Sequence, residues 1–221
     1  MKLRYRAASF ALALPLFATA QPVRLHTVIF QQPGFPTVES EPLDSTSLRA
    51  AFGEADTADI AQLKAGDVLK QTSLLVLPYG SAFPEQAWPA IFHYLQEGGN
   101  LLLIGGEPFR VPVSAGKNGT FELEPPQDAY SRTIDFRHSY AVPRESQPTT
   151  FQWRDGYKFL PKITLQPLTV YAQEGRINGL GYLDTTDGTH TAAPVIVADH
   201  GIGASMAGSR IVALPFAPTA G

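Results

Sequence analysis

The chain has 221 residues, 44% apolar and 17% charged, which is enough apolar material for one domain with a buried core. Its formal net charge of −3, with no long basic run, argues against nucleic acid or an anionic membrane surface as a partner. Cysteine is absent, so disulfides, thiol nucleophiles and thiolate metal sites are excluded.

Lys2, Arg4 and Arg6 precede an apolar run from Ala7 to Phe17, and Ala18-Thr19-Ala20 has the small-residue form of a cleavage site. The expectation is a secretory signal over residues 1–20, a mature domain over 21–221, and a secreted or periplasmic location. The run is too short to stay in a bilayer as a spanning helix. No membrane association beyond the signal is expected.

Val23 to Phe30 reads as the first strand, with His26 as a packed or edge residue. Gln31 to Asp44 carries three prolines and reads as a loop leaving the strand's carboxyl end. Ser45 or Thr46 can cap a short helix ended by Gly53. Ala58 to Leu69 mixes strand and helix signals.

Ser73 to Phe109 is the best-defined stretch. Leu74 to Leu77 has the continuous apolar character of a strand buried on both faces, and Pro78-Tyr79-Gly80-Ser81 reads as its end. Pro84 fits the first position of a helix with Trp88, Ile91, Phe92 and Leu95 on one face, stopped by Gly98-Gly99. Leu101 to Ile104 is a second buried strand that ends at Gly105-Gly106. Together these make one βαβ unit with a right-handed crossover.

The texture then changes. Val111 to Asp128 has many prolines and glycines and reads as an irregular excursion, part of a poorly patterned region spanning about 111–190. Asn118-Gly119-Thr120 has the form of a glycosylation sequon but is read as a loop. Thr133 to Phe136, Phe151 to Phe159, Thr164 to Ala172 and Gly179 to Asp184 are strand candidates, the last followed by a turn at Thr186-Asp187-Gly188. Ala193 to Ala198 and Ser209 to Phe216 are the last two strands. The predicted class is therefore α/β and flavodoxin-like: a mainly parallel sheet, helices on both faces and a β-rich C-terminal part. The chain stops directly after an apolar strand, where such a domain usually adds a helix. The expectation is the N-terminal piece of a longer protein, or a truncated open reading frame.

Chemistry is expected outside the carboxyl ends of the strands, where ligands bind in open α/β sheets. Glu107 lies there, at a sharp turn, as a candidate acid, base or ligand-orienting group. Asp199 and His200 follow a strand and form a second candidate pair for proton transfer. Ser81 follows Gly80, but the Gly-x-Ser-x-Gly pattern of a nucleophile elbow is absent. Tyr79 is the candidate for an exposed aromatic face against a sugar ring. The five histidines lack ligand spacing, and no metal site or cofactor is expected.

The run LLVLPYGSAFP, with YLQEGGNLLLIGG after it, resembles the class I glutamine amidotransferase-like superfamily. The closing APVIVADHGIGASMAGSRIVALPF is similar to its non-catalytic members, the β-galactosidase trimerisation and trehalose-utilisation-type domains. The resemblance implies that Tyr79, Gly80 and Ser81 stand at the oxyanion loop, and Gly105, Gly106 and Glu107 at the nucleophile elbow. Either Gly106 or Glu107 takes the place of the family's cysteine. With no cysteine, and no Glu two residues after His200, thiolate amide transfer is ruled out. The resemblance implies a non-catalytic accessory domain of a secreted glycoside hydrolase, with a carbohydrate or a hydrolase domain as partner and a homo-oligomer as one form. The alternative is a small hydrolase using Glu107 with Asp199 and His200.

Overall fold

The computed structural model describes residues 26–134, 136, 138–141, 150–153, 169–172, 177–179, 181–184, 190–192, 196–201 and 203–214. The signal segment, residues 23–25 of the first expected strand, Tyr157, Phe159, the turn at Thr186-Asp187-Gly188 and residues beyond Leu214 lie outside them.

The strands Thr27–Phe30 (β1), Asp56–Ala58 (β2), Leu74–Gly80 (β3), Asn100–Gly105 (β5), Ile177–Gly179 (β11), Ile196–Asp199 (β14) and Arg210–Leu214 (β15) form one seven-stranded sheet. Its order is β11-β14-β15-β5-β3-β1-β2. From β15 to β2 every pairing is parallel, whereas β14 runs antiparallel to both of its neighbours. The fold is thus mixed α/β with a mostly parallel central sheet.

Period-2 alternation in the central strands divides the core into two layers. Val28, Phe30, Leu75, Leu77, Leu101 and Leu103 face one way, against Leu63 of Ile60–Ala65 (α2) and Ile91, Tyr94 and Leu95 of Trp88–Gln96 (α3). Ile29, Val76 and Ile104 face the other way, against Leu48 of Ser45–Phe52 (α1). Helices therefore cover both faces. Each fully buried Leu or Ile contributes about 1.5–3 kcal/mol relative to exposure, so these strands anchor the loops at their ends.

Local chemistry explains several boundaries. Asp44 is the N-cap of α1, one residue before the expected cap, and accepts from the Thr46 and Ser47 amides at 2.8 Å. The ambiguous 58–69 stretch resolves into the end of β2, then α2 with a reciprocal Asp59–Gln62 capping box, then a 3-10 turn. Strand β3 does not end at Pro78. Its pairing with β5 becomes irregular between Leu77 and Gly80, and an irregular ladder is where an interior strand tolerates a residue without an N–H. Pro84 closes a short strand, Ala82–Pro84 (β4), and stands at the N-cap of the 3-10 turn Glu85–Ala87 that runs into α3, one residue before the first helical position expected for it; Pro89 stands in the first turn of α3.

The expected irregular excursion is a small sheet. Val111–Ala115 (β6) pairs parallel with β4 and antiparallel with Phe121–Leu123 (β7). The hairpin turns at Asn118 (φ 56°) and Gly119 (φ 76°), the left-handed pair that an Asn-Gly dipeptide favours. Thr133, the expected start of a strand, instead ends a short helix, Ala129–Thr133 (α4). Further on, His138–Ala141 (β8) pairs with Thr169–Ala172 (β10), and Thr150–Trp153 (β9), Gly181–Asp184 (β12) and His190–Ala192 (β13) form a three-stranded antiparallel sheet. No helix among the described residues is long and apolar enough to cross a membrane.

Candidate functional site

The carboxyl ends of β1, β3 and β5 lie side by side, and the segment leaving β1 turns back across them. Val38 forms a parallel bridge with Gly80. Its N–H donates to the Tyr79 carbonyl and its carbonyl accepts from the Ser81 N–H, both at 3.2 Å. The floor beneath the segment is bare backbone. A Cβ on Gly80 would overlap the Val38 carbonyl, one on Gly105 would overlap Ser40, and one on Gly106 would overlap Ser81. Gly80 and Gly105 also have φ values of 68° and 101°, which side chains resist.

Ser81 is the hub. It is 1% exposed, and its carbonyl accepts from the Val111 N–H at 2.9 Å. Its hydroxyl accepts from the Glu107 N–H at 2.7 Å and donates to the Glu39 carboxylate in a short hydrogen bond. Glu39 is exposed and has a φ of 68°, uncommon for a residue with a side chain. Sequence reasoning missed Glu39. One signal pointed that way: Gly80 and Gly105-Gly106 at adjacent strand ends allow another backbone to approach closely.

Glu107 faces a cation. Its carboxylate lies 3.4 Å from Arg110 Nε, and Arg110 also contacts Asp128, which Arg132 reaches at 3.6 Å. Tyr79 is held in an aromatic cluster and is not a free platform. Its ring centroid lies 5.1 Å from that of Phe30 and 4.9 Å from that of Phe35. Its hydroxyl accepts from the Gln32 N–H at 3.0 Å, and burial pushes its pKa up.

Tyr79, Gly80, Ser81, Gly105, Gly106 and Glu107 therefore converge at one end of the sheet. Asp199 and His200 do not join them. Because β14 is antiparallel, its carboxyl end lies beside the start of β15, where Asp199 pairs with Arg210 and Ile211 with Leu101. Asp199 accepts from Arg210 Nε at 2.5 Å, and the Arg210 N–H donates to Asn100 Oδ1 at 3.1 Å. His200 is buried, with Nδ1 3.0 Å from Ser209 Oγ. The hydrolase grouping of Glu107 with Asp199 and His200 fails on this geometry, since the two sets lie at opposite ends of β5. Among the described residues no three His, Asp or Glu side chains are grouped to hold a metal ion.

The chain matches no protein-family profile and no curated protein. Among solved structures, the fold is similar to part of a β-galactosidase from the Antarctic haloarchaeon Halorubrum lacusprofundi (TM-score 0.52, 13% identity, 89% of this chain and 28% of that one). It is similar as well to part of the β-galactosidase of Bacillus circulans sp. alkalophilus (TM-score 0.50, 8% identity, 88% and 29%). A ThuA-like protein from Bacteroides uniformis aligns over 96% of this chain and 86% of its own (TM-score 0.47, 13% identity). The chain spans under a third of the length of those β-galactosidases, and at these identities the likeness concerns the fold.

Proposed function

We propose that this chain is a secreted, non-catalytic accessory domain of a carbohydrate-degrading protein, flavodoxin-like in topology and derived from the glutamine amidotransferase-like superfamily. One observation carries the reading. The strand-end crevice, where that superfamily does its chemistry, is filled by Val38, Glu39 and Ser40 of the same chain. The elbow agrees. Gly106 has no room for a side chain, which supports Glu107 as the residue in the nucleophile's place, and Glu107 faces Arg110. The likeness to parts of β-galactosidases supports the glycoside hydrolase setting, and the Lys2 to Ala20 pattern supports export.

The test is a thermal-shift titration of the full chain with plant and bacterial oligosaccharides, with product analysis of the same mixtures. A ligand at about 100 times its Kd adds roughly 2.7 kcal/mol, which is readily seen. Saturable stabilisation without turnover is the expected result. Turnover that disappears in Glu107→Gln would replace this reading with a hydrolase. A stable oligomer unaffected by any sugar would move the role to assembly.

A further inference from the structure

We infer that the position of the Glu39 carboxylate is a binding seat for small carboxylates, filled from inside by this chain and open to an external ligand when residues 37–40 lift.

The donors define the chemistry. Because Ser81 Oγ accepts from the Glu107 N–H, its one proton is directed at Glu39. The Ser81 N–H is directed at the Val38 carbonyl. One buried residue thus presents two donors, and Val38 and Glu39 of the segment supply an acceptor to each. Any replacement must also bring acceptors. A carboxylate is the acceptor that the hydroxyl already holds, and its second oxygen is a further acceptor for an N–H that the lifted segment leaves.

The segment is built to release. Glu39 holds a left-handed backbone that a glutamate does not favour. On either side of it, Thr37 Oγ1 and Ser40 Oγ are buried without a hydrogen-bond partner, a costly state for a hydroxyl. The backbone bonds of Val38 to Tyr79 and Ser81, at 3.2 Å, are at the upper end of the ordinary range. Lifting the segment would free the two hydroxyls and relax Glu39. It would also uncover a floor at Gly80 and Gly105 with no side chains of its own. Glu39 is exposed, so solvent already reaches the outer side of the seat. The nearby Glu107 carboxylate is balanced by Arg110, which lessens its repulsion of an incoming anion. The inference holds whether or not the domain serves a glycoside hydrolase.

Amide hydrogen exchange on the full chain tests it, with wild type and Glu39→Ala compared in sodium acetate, in sodium D-glucuronate and in sodium chloride of equal ionic strength. In Glu39→Ala the Ser81 amide should exchange about tenfold faster or more, because the charged hydrogen bond that fastens the segment, and with it the Val38 carbonyl over that amide, is gone. Leu75 to Leu77 should stay protected, which shows that the sheet is intact. Either carboxylate should then restore protection at Ser81 saturably, at lower concentration than any effect on wild type. Equal effects of carboxylate and chloride, or no restored protection, would overturn the inference. If Glu39→Ala does not fold, wild type and Ser81→Ala are titrated with the same salts and followed by the amide shift of Glu107. A saturable carboxylate shift lost in Ser81→Ala supports the seat, and its absence from wild type or its persistence in Ser81→Ala rejects it.

Discussion

The carbonyl of Val38 occupies the space that a Cβ on Gly80 would need. The two residues form the bridge through which the segment after β1 is fastened to the end of β3. Gly80→Ala would meet both this overlap and the positive φ. The handed backbone alone costs about 1–2 kcal/mol, and displacement of Val38 adds to it. Urea unfolding should show a loss above roughly 2 kcal/mol. Gly53→Ala, with φ 64° but no atom within 4 Å of its Cβ, should show the backbone cost alone.

Glu107 and His200 belong to opposite ends of the sheet. Strand β5 rises roughly 3.3 Å per residue, so its length separates them well beyond contact. Glu107→Gln and His200→Ala should therefore add in a double-mutant cycle on unfolding free energy, within about 0.5 kcal/mol. A larger coupling would contradict the antiparallel placement of β14.

Tyr94 donates to the Asn100 carbonyl at 2.8 Å, and burial pushes its pKa from 10.0 to about 12. The folded state therefore keeps this proton where the unfolded chain has lost it. Stability should be unaffected by this group below pH 10 and should fall as pH rises towards 12. One retained proton gives a slope of about 1.4 kcal/mol per pH unit. In Tyr94→Phe that slope should diminish in chemical denaturation across the same range, at a cost near neutrality of about 1 kcal/mol for the lost hydrogen bond.

The Asn118-Gly119 turn predicts a contrast between two substitutions. Asn118→Ala should destabilise by about 1 kcal/mol, because alanine resists the left-handed φ of 56° more than asparagine does. Asn118→Gly should be near neutral, since glycine accepts that backbone. Thermal melts of the two variants measure the difference directly.

The central βαβ unit was legible because its apolar runs are continuous and its helix stripe has one period. What escaped was set by partners distant in sequence. Pro78 looked like a strand end because sequence shows the missing N–H but not the irregular ladder that absorbs it. The 111–128 stretch looked irregular because its strands are short, and Pro112 lies inside one of them, β6, although Asn118-Gly119 is a hairpin signal in its own right. The candidate site was half legible. Glycines at two strand ends marked the crevice, but nothing local assigns Glu39 to Ser81, which lies far along the chain. Asp199 and His200 looked like strand-end residues, as they are. The direction of β14 is a property of the sheet, and it placed them on the far side.

The position of β15 has a consequence for how the protein is made. It lies between β5 and β14, so the sheet cannot join its two halves until Arg210–Leu214 arrive. During synthesis the apolar edge of β5 stays open through the whole interval from Gly106 to Ser209. An unpaired edge of that kind recruits other strands. If the chain is exported unfolded, as proposed above, late closure is an advantage, because this sheet cannot be completed before Arg210–Leu214 are delivered. For overproduction in a cytoplasm it is a hazard, and soluble yield should depend on keeping β15 complete more than on any surface residue.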